Sequence, residues 1–175
     1  MFDSLHCITS SQIPTHKNQS LLRRNDELNS SLNTYTLALI TAKITHGDYG
    51  ITLSDVTGNQ MQIDIPVEQG GGGKGMRPMQ TLLAALIGCS VVDIVSILKK
   101  QKQHFTSLNV EVDGERAEGK EPSLWQKINL SFFFTGDIDL GKAQRAVDLS
   151  ITKYCSVAET LRRAGAIIEY QVFIK

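Results

Sequence analysis

Between Pro78 and Gln101 the chain carries a run in which nearly every position is apolar: Thr81-Leu-Leu-Ala-Ala-Leu-Ile-Gly-Cys-Ser-Val-Val-Asp-Ile-Val. Pro78 suits a first helical turn, because its fixed φ is helical and its missing N–H is not needed there. The pattern predicts a helix over 78–101, roughly 35 Å long at a 1.5 Å rise per residue. Such a helix has no face to offer water until the Lys99-Lys100-Gln-Lys end. It must therefore be wrapped, by sheet, by a second chain or by lipid. Lipid is disfavoured because Asp93 sits mid-run, and a charge at the bilayer centre costs roughly 2.5–3.5 kcal/mol on insertion scales. The core helix of a soluble protein is the expectation.

Around this helix the hydrophobic period is two. From Tyr35, residues Tyr35, Leu37, Leu39 and Thr41 alternate with Thr36, Ala38, Ile40 and Ala42, the pattern of a strand with both faces largely covered. Turn signals at His46-Gly-Asp and Thr57-Gly-Asn bracket a second strand, Ile51 to Val56, and Met61, Ile63 and Ile65 mark a third. These three form an antiparallel meander. Beyond the helix, Leu108, Val110 and Val112, then Ile128, Leu130, Phe132 and Phe134, give two more strands around a loop with Pro122 and Trp125. Asp139 can cap a helix presenting Leu140, Ala143, Ala146, Val147 and Ile151 on one face. Ser156-Val-Ala-Glu159 reads as a capping box for a short helix ending at Gly165, and Ile168, Tyr170, Val172 and Ile174 form a closing strand. The order βββα-ββααβ predicts an α+β fold. Residues 1–33, rich in Ser, Asn and Gln without sustained period, read as a mobile N-terminal extension, leaving 34–175 as one domain.

Charge and cysteine usage narrow the function. Eighteen Lys and Arg balance eighteen Asp and Glu, so the basic excess that phosphate-backbone binding needs is missing and no nucleic-acid partner is expected. Three cysteines are too few for a disulfide framework, and no apolar leader follows Met1, so a cytoplasmic location is expected. The histidines lack ligand spacing, and no metal is expected. The run Gly70 to Gly73 is followed by Lys74-Gly-Met rather than the GK[ST] of a phosphate loop, and reads as a flexible approach to the long helix.

What remains is a pair of thiols. Cys155 lies at a helix start, where the dipole makes a thiol easier to ionise. Cys89 lies in the apolar run, with Asp93 one turn further on the same face; burial and that carboxylate both oppose ionisation. A cation has to offset them, and Arg77 is the nearest in sequence, with His46 able to substitute only when protonated. Either cysteine could instead be a small hydrophobe in a core. Cys7, in the extension, reads as an inert thiol.

Two segments carry a resemblance: Gly75-Met-Arg-Pro-Met-Gln-Thr-Leu-Leu-Ala-Ala-Leu-Ile-Gly-Cys-Ser with Asp93-Ile-Val-Ser-Ile-Leu-Lys-Lys, and Ala146-Val-Asp-Leu-Ser-x-x-Lys-Tyr-Cys-Ser-Val. Together they resemble the signature segments of the OsmC/Ohr family, across about Thr34 to Lys175. The resemblance implies two antiparallel sheets wrapped around long central helices in an intertwined homodimer, with active sites at the subunit interface. It implies a thiol peroxidase for hydrophobic organic hydroperoxides, with Cys89 attacking the peroxide and Cys155 resolving the sulfenic acid. An external dithiol such as a lipoyl group, or a small thiol, would restore the pair, with no bound cofactor. The region Phe132 to Phe134 would help shape a greasy pocket. In the peroxidase branches an Arg from a strand turn is held by a Glu just after the helix-opening Pro; here Met79 and Gln80 stand there, and His46-Gly-Asp-Tyr-Gly has no Arg. That departure keeps a second expectation open: a non-peroxidatic dimer that binds a small hydrophobic or thiol ligand or senses redox state.

Overall fold

The computed structural model describes residues 38–175; the extension, Cys7 and the expected start of the first strand at Tyr35 lie outside them. Strands β1 (Ile40–His46), β2 (Gly50–Asp55) and β3 (Gln60–Ile63) form the predicted antiparallel meander. Helix α1 (Gln80–Lys100) follows. A second sheet holds β4 (Ser107–Arg116), β5 (Trp125–Thr135) and β6 (Ile167–Ile174) in that order, and α2 (Leu140–Leu149) and α3 (Ser156–Arg163) link β5 to β6. The second sheet departs from the all-antiparallel expectation, because β5 and β6 run parallel. The helical connection explains it: a crossover through two helices returns the chain to the starting end of the sheet, where only a parallel strand can enter.

The core forms where α1 crosses the second sheet. Leu83, Leu86, Ser90, Ile94 and Leu98 make one buried stripe of α1 at the three- and four-residue spacing of a helical face. It packs with Ile128, Leu130, Phe132 and Phe134, the alternate residues of β5, and with Ala143, Ala146 and Val147 of α2. Phe132 and Phe134 are fully buried in this core, so they build no pocket. Phe133 points to the other face and stacks on Phe173, with ring centroids 4.9 Å apart. Leu140, expected on the buried face of α2, is 55% exposed, because it sits one residue after the cap Asp139, at the rim of the core.

The glycine run is a built loop rather than a flexible approach. The Asp64 carboxylate, 1% exposed at the end of β3, accepts backbone N–H bonds from Ile65 (2.8 Å), Gly72 (3.1 Å) and Lys74 (3.1 Å). Those bonds, led by Lys74, hold its carboxyl below the usual range. Gly71 is required by close approach: a Cβ there would lie 2.1 Å from the Ile65 carbonyl oxygen. The loop thus delivers the chain to α1 at a fixed place, and the Trp125 indole N–H donates to the Met79 carbonyl at 3.2 Å to pin the helix start on the sheet.

One face of α1 stays uncovered. Only 28% of its most apolar stretch is buried, and Leu82, Ala85, Gly88 and Val92 form an exposed stripe opposite the core, with Val92 67% exposed. Strand β1 is exposed along its whole length, not covered on both faces as its apolar pattern predicts, because it is the edge strand of its sheet and, among the described residues, no element packs on its faces.

Candidate active site

Local sequence sets each thiol in place. Cys89 is half-buried on the flank of α1, packed against the core. Cys155 is 2% exposed and is itself the N-cap of α3: its extended backbone turns the chain into the helix, and its sulfur accepts the Ala158 N–H at 3.4 Å. The cap therefore falls one residue before the expected Ser156. Glu159 completes no capping box; its carboxylate pairs with Arg162 at 3.1 Å and Arg163 at 2.8 Å.

The structure brings the two thiols near enough for Cys89 to act on the Cys155 thiol. Both are reduced. Burial first, and then the Cys89 contact, push the Cys155 thiol up to about 11, against the opposing pull of the Ala158 and Val157 N–H groups. Proximity to a helix start does not make this thiol easy to ionise, because a single turn of N–H groups is outweighed by loss of water.

The element before Cys155 is one that sequence gives no sign of. Helix α2 does not end at Leu149 but widens into a π-turn, Ser150–Tyr154, closed by the Cys155 N–H donating to the Ser150 carbonyl at 2.8 Å. Single π-turns inserted into helices are rare and concentrate at functional sites. Ser150, fully buried, donates its hydroxyl to the Ser90 carbonyl at 3.1 Å. This bond ties the residue after Cys89 to the turn that aims Cys155. Arg162 donates to the Ile151 carbonyl within the turn and holds it from the α3 side. Ser90, Ser150 and Arg162 are thus positioning residues, with no local sequence pattern to announce them.

Arg77 stands elsewhere. It lines a cavity of about 350 Å³ with Trp125, Arg116, Pro78, Met79 and Gln80. From Gln80 to Cys89 is nine helical residues, about 13 Å of axis, so within one chain the structure does not bring Arg77 to the thiols. No acidic residue occupies the first turn of α1. His46 lies at the end of β1, near enough to Asp64 to help lower its carboxyl. Cys155 lines a separate cavity of about 330 Å³ with Tyr154, Lys153, Thr160 and Arg163.

A segregated α+β domain with two neighbouring thiols, one on a helix flank and one at a helix start, has the architecture of the OsmC-like fold. The family model described as OsmC-like protein matches residues 71–171, and the chain belongs to that family. Protein YhfA of Escherichia coli (strain K12) is 44% identical over 101 residues, which cover 57% of this chain and 75% of that protein. The fold is similar to the crystal structure of an OsmC-like protein from Mycoplasma pneumoniae, with TM-score 0.67 and 19% identity over 81% of this chain and 99% of that one. It is also similar to the organic hydroperoxide resistance protein OhrB of Bacillus subtilis, with TM-score 0.56 and 18% identity over 81% of this chain and 100% of that one.

Proposed function

We propose that the chain is a thiol-dependent peroxidase for hydrophobic organic hydroperoxides, acting as a soluble homodimer in a reducing cytoplasm. The observation that supports it most is the nearness of Cys89 to the Cys155 thiol, with the Ser150–Ser90 bond tying their two elements together. Cys89, as thiolate, attacks the terminal peroxide oxygen; the O–O bond breaks, the alcohol leaves with a proton, and Cys89 becomes a sulfenic acid. Cys155 then attacks that sulfur, expelling the hydroxyl as water and closing a Cys89–Cys155 disulfide. An external dithiol or small thiol reopens it by exchange, becoming a disulfide itself. The uncovered α1 stripe favours a second copy packed on it across a two-fold axis.

The absence of an acid in the first turn of α1 favours a second reading, in which the same dimer binds a small hydrophobic or thiol ligand or senses redox state without turnover. Purified protein supplied with cumene hydroperoxide and dihydrolipoate decides between them. The peroxidase consumes the hydroperoxide and Cys89→Ser abolishes consumption. Turnover that survives Cys89→Ser sinks the mechanism, and no turnover in the unaltered protein leaves the binding reading.

A further inference from the structure

Arg77 and Arg116 stand on separate elements yet line one cavity, of about 350 Å³, whose walls are fixed by contacts already made. The Trp125 indole has its N–H on the Met79 carbonyl and its ring against Gly114, where a Cβ would lie 2.9 Å from it. Ile65 and Pro66 begin the loop that the Asp64 carboxylate holds. The Gln80 side-chain oxygen accepts the Arg77 N–H at 3.0 Å, which fixes that backbone and turns the Gln80 amide N–H₂ free as a donor. Arg116 is aimed by two bonds to the Ser123 carbonyl, from Nε at 3.1 Å and Nη2 at 2.7 Å, and its guanidinium lies 6.0 Å from the centre of the Trp125 ring. These two cations meet no counter-charge. Among the described residues the lining holds no Asp or Glu, and the four ion pairs include neither arginine. Arg116 also borders Glu115 and Glu118 in a neighbouring cleft, but Glu115 stands opposite Lys127 in the β4–β5 ladder and Glu118 pairs with neither arginine. A cleft lined by one sign of charge over apolar walls concentrates ions of the other sign.

We infer that this cavity binds a small aromatic carboxylate, at a site separate from the thiols. The planar fork of an arginine matches a carboxylate, and charge-assisted bonds of this kind are about twice as strong as neutral ones. Arg77 makes no side-chain bond within the described residues and has its whole fork to offer; Arg116 has spent one edge on Ser123 and keeps Nη1. The rest of the wall, Ile65, Pro66, Pro78, Met79 and Trp125, is apolar, and the indole and the prolines present flat surfaces to a ring. Sites of this size are mostly apolar with a few polar anchors, and a free phosphate would set its oxygens against that wall with nothing to bond them. The inference stands apart from the redox cycle, since neither Cys89 nor Cys155 lines the cavity.

Trp125 is the single tryptophan of the chain, so its emission, excited at the red edge where tyrosine does not absorb, reports the cavity wall directly. The full-length protein, kept reduced, is titrated with phenylacetate, with the uncharged 2-phenylethanol, with the cationic 2-phenylethylamine and with inorganic phosphate. Phenylacetate is expected to give a saturable change, and the other three to bind at least about tenfold more weakly. Arg77→Gln breaks no side-chain bond of the fold and is expected to weaken phenylacetate at least about tenfold while leaving 2-phenylethanol unchanged. Arg116→Gln gives up the Ser123 bonds as well, so Arg116→Lys, which keeps the charge without the fork, is run beside it and is expected to recover part of the loss. Lys142→Gln, on α2 and outside the lining, is expected to stay within about twofold of the parent, as a solvated surface charge should. Phenylacetate binding no tighter than 2-phenylethanol, or binding that survives Arg77→Gln and Arg116→Gln together, overturns the proposal. Phosphate binding as tightly as phenylacetate overturns it too, by reducing the site to a patch for any anion. No step of the test reads peroxide turnover, so its outcome is independent of whether the thiols cycle.

Discussion

Cys155 fixes how the reaction should depend on pH. With its thiol at about 11 in the reduced pair, only a small fraction is thiolate near neutrality, and the thiolate is the attacking species. Disulfide closure should therefore accelerate about tenfold per pH unit from neutrality until the pH approaches 11. Rapid-quench trapping of the Cys89 sulfenic acid over that range checks it; a flat profile would mean that a step other than Cys155 attack limits closure. Asp64 carries the opposite sign. Its carboxyl is held below the ordinary carboxylate range in the folded chain, so its stabilisation is complete well above the unfolded-state value and lost as the pH falls through the lowered one. Asp64→Asn, which turns an acceptor of three backbone N–H bonds into an amide, should lower the melting midpoint at pH 7 by several degrees and flatten the acid side of the stability curve. Thermal melts by circular dichroism at pH 7 and pH 3 read both effects.

Among the elements, the long helix, five of the six strands and the Asp139 cap were legible in sequence because period and cap chemistry are local. The Asp139 side chain does accept the Lys142 N–H at 2.8 Å, and α1 falls within two residues of its expected ends. The sixth strand was legible in part: β1 pairs as expected over the described residues, and its proposed start lies outside them. Two features were not legible. The glycine run serves a carboxylate that precedes it by six residues, so its order depends on contacts that composition does not encode. The π-turn arises because Ser150 reaches across to Ser90, sixty residues away, and nothing in Leu149-Ser-Ile-Thr-Lys distinguishes it from a helix. Ser150→Ala should cost about 0.5–1.5 kcal/mol of stability, the net worth of an ordinary hydrogen bond, and should slow disulfide closure more than it slows the first attack at Cys89. Urea denaturation and the same trapping experiment separate those outcomes.

For the whole molecule, the uncovered stripe of α1 sets the expected assembly. Chains of 19.3 kDa should sediment at twice that mass, and Val92→Lys, which puts a charge on the most exposed large apolar residue of the stripe, should shift them toward single chains, since an unpaired charge buried in an interface costs several kcal/mol. Sedimentation velocity at micromolar concentration reads it, and a Val92→Lys protein that stays at the dimer mass would place the contact elsewhere.

The π-turn makes the site count residues. An α-helix turns about 100° per residue, and the π-turn holds one residue more than that phase allows. Removing a single residue between Ser150 and Tyr154 would let α2 run on in ordinary phase and swing position 155 about a quarter turn around the axis, away from Cys89. Side chains along this stretch are therefore freer to change than its length, and in relatives of this chain a gap there, more than any substitution, would mark a thiol pair that no longer meets.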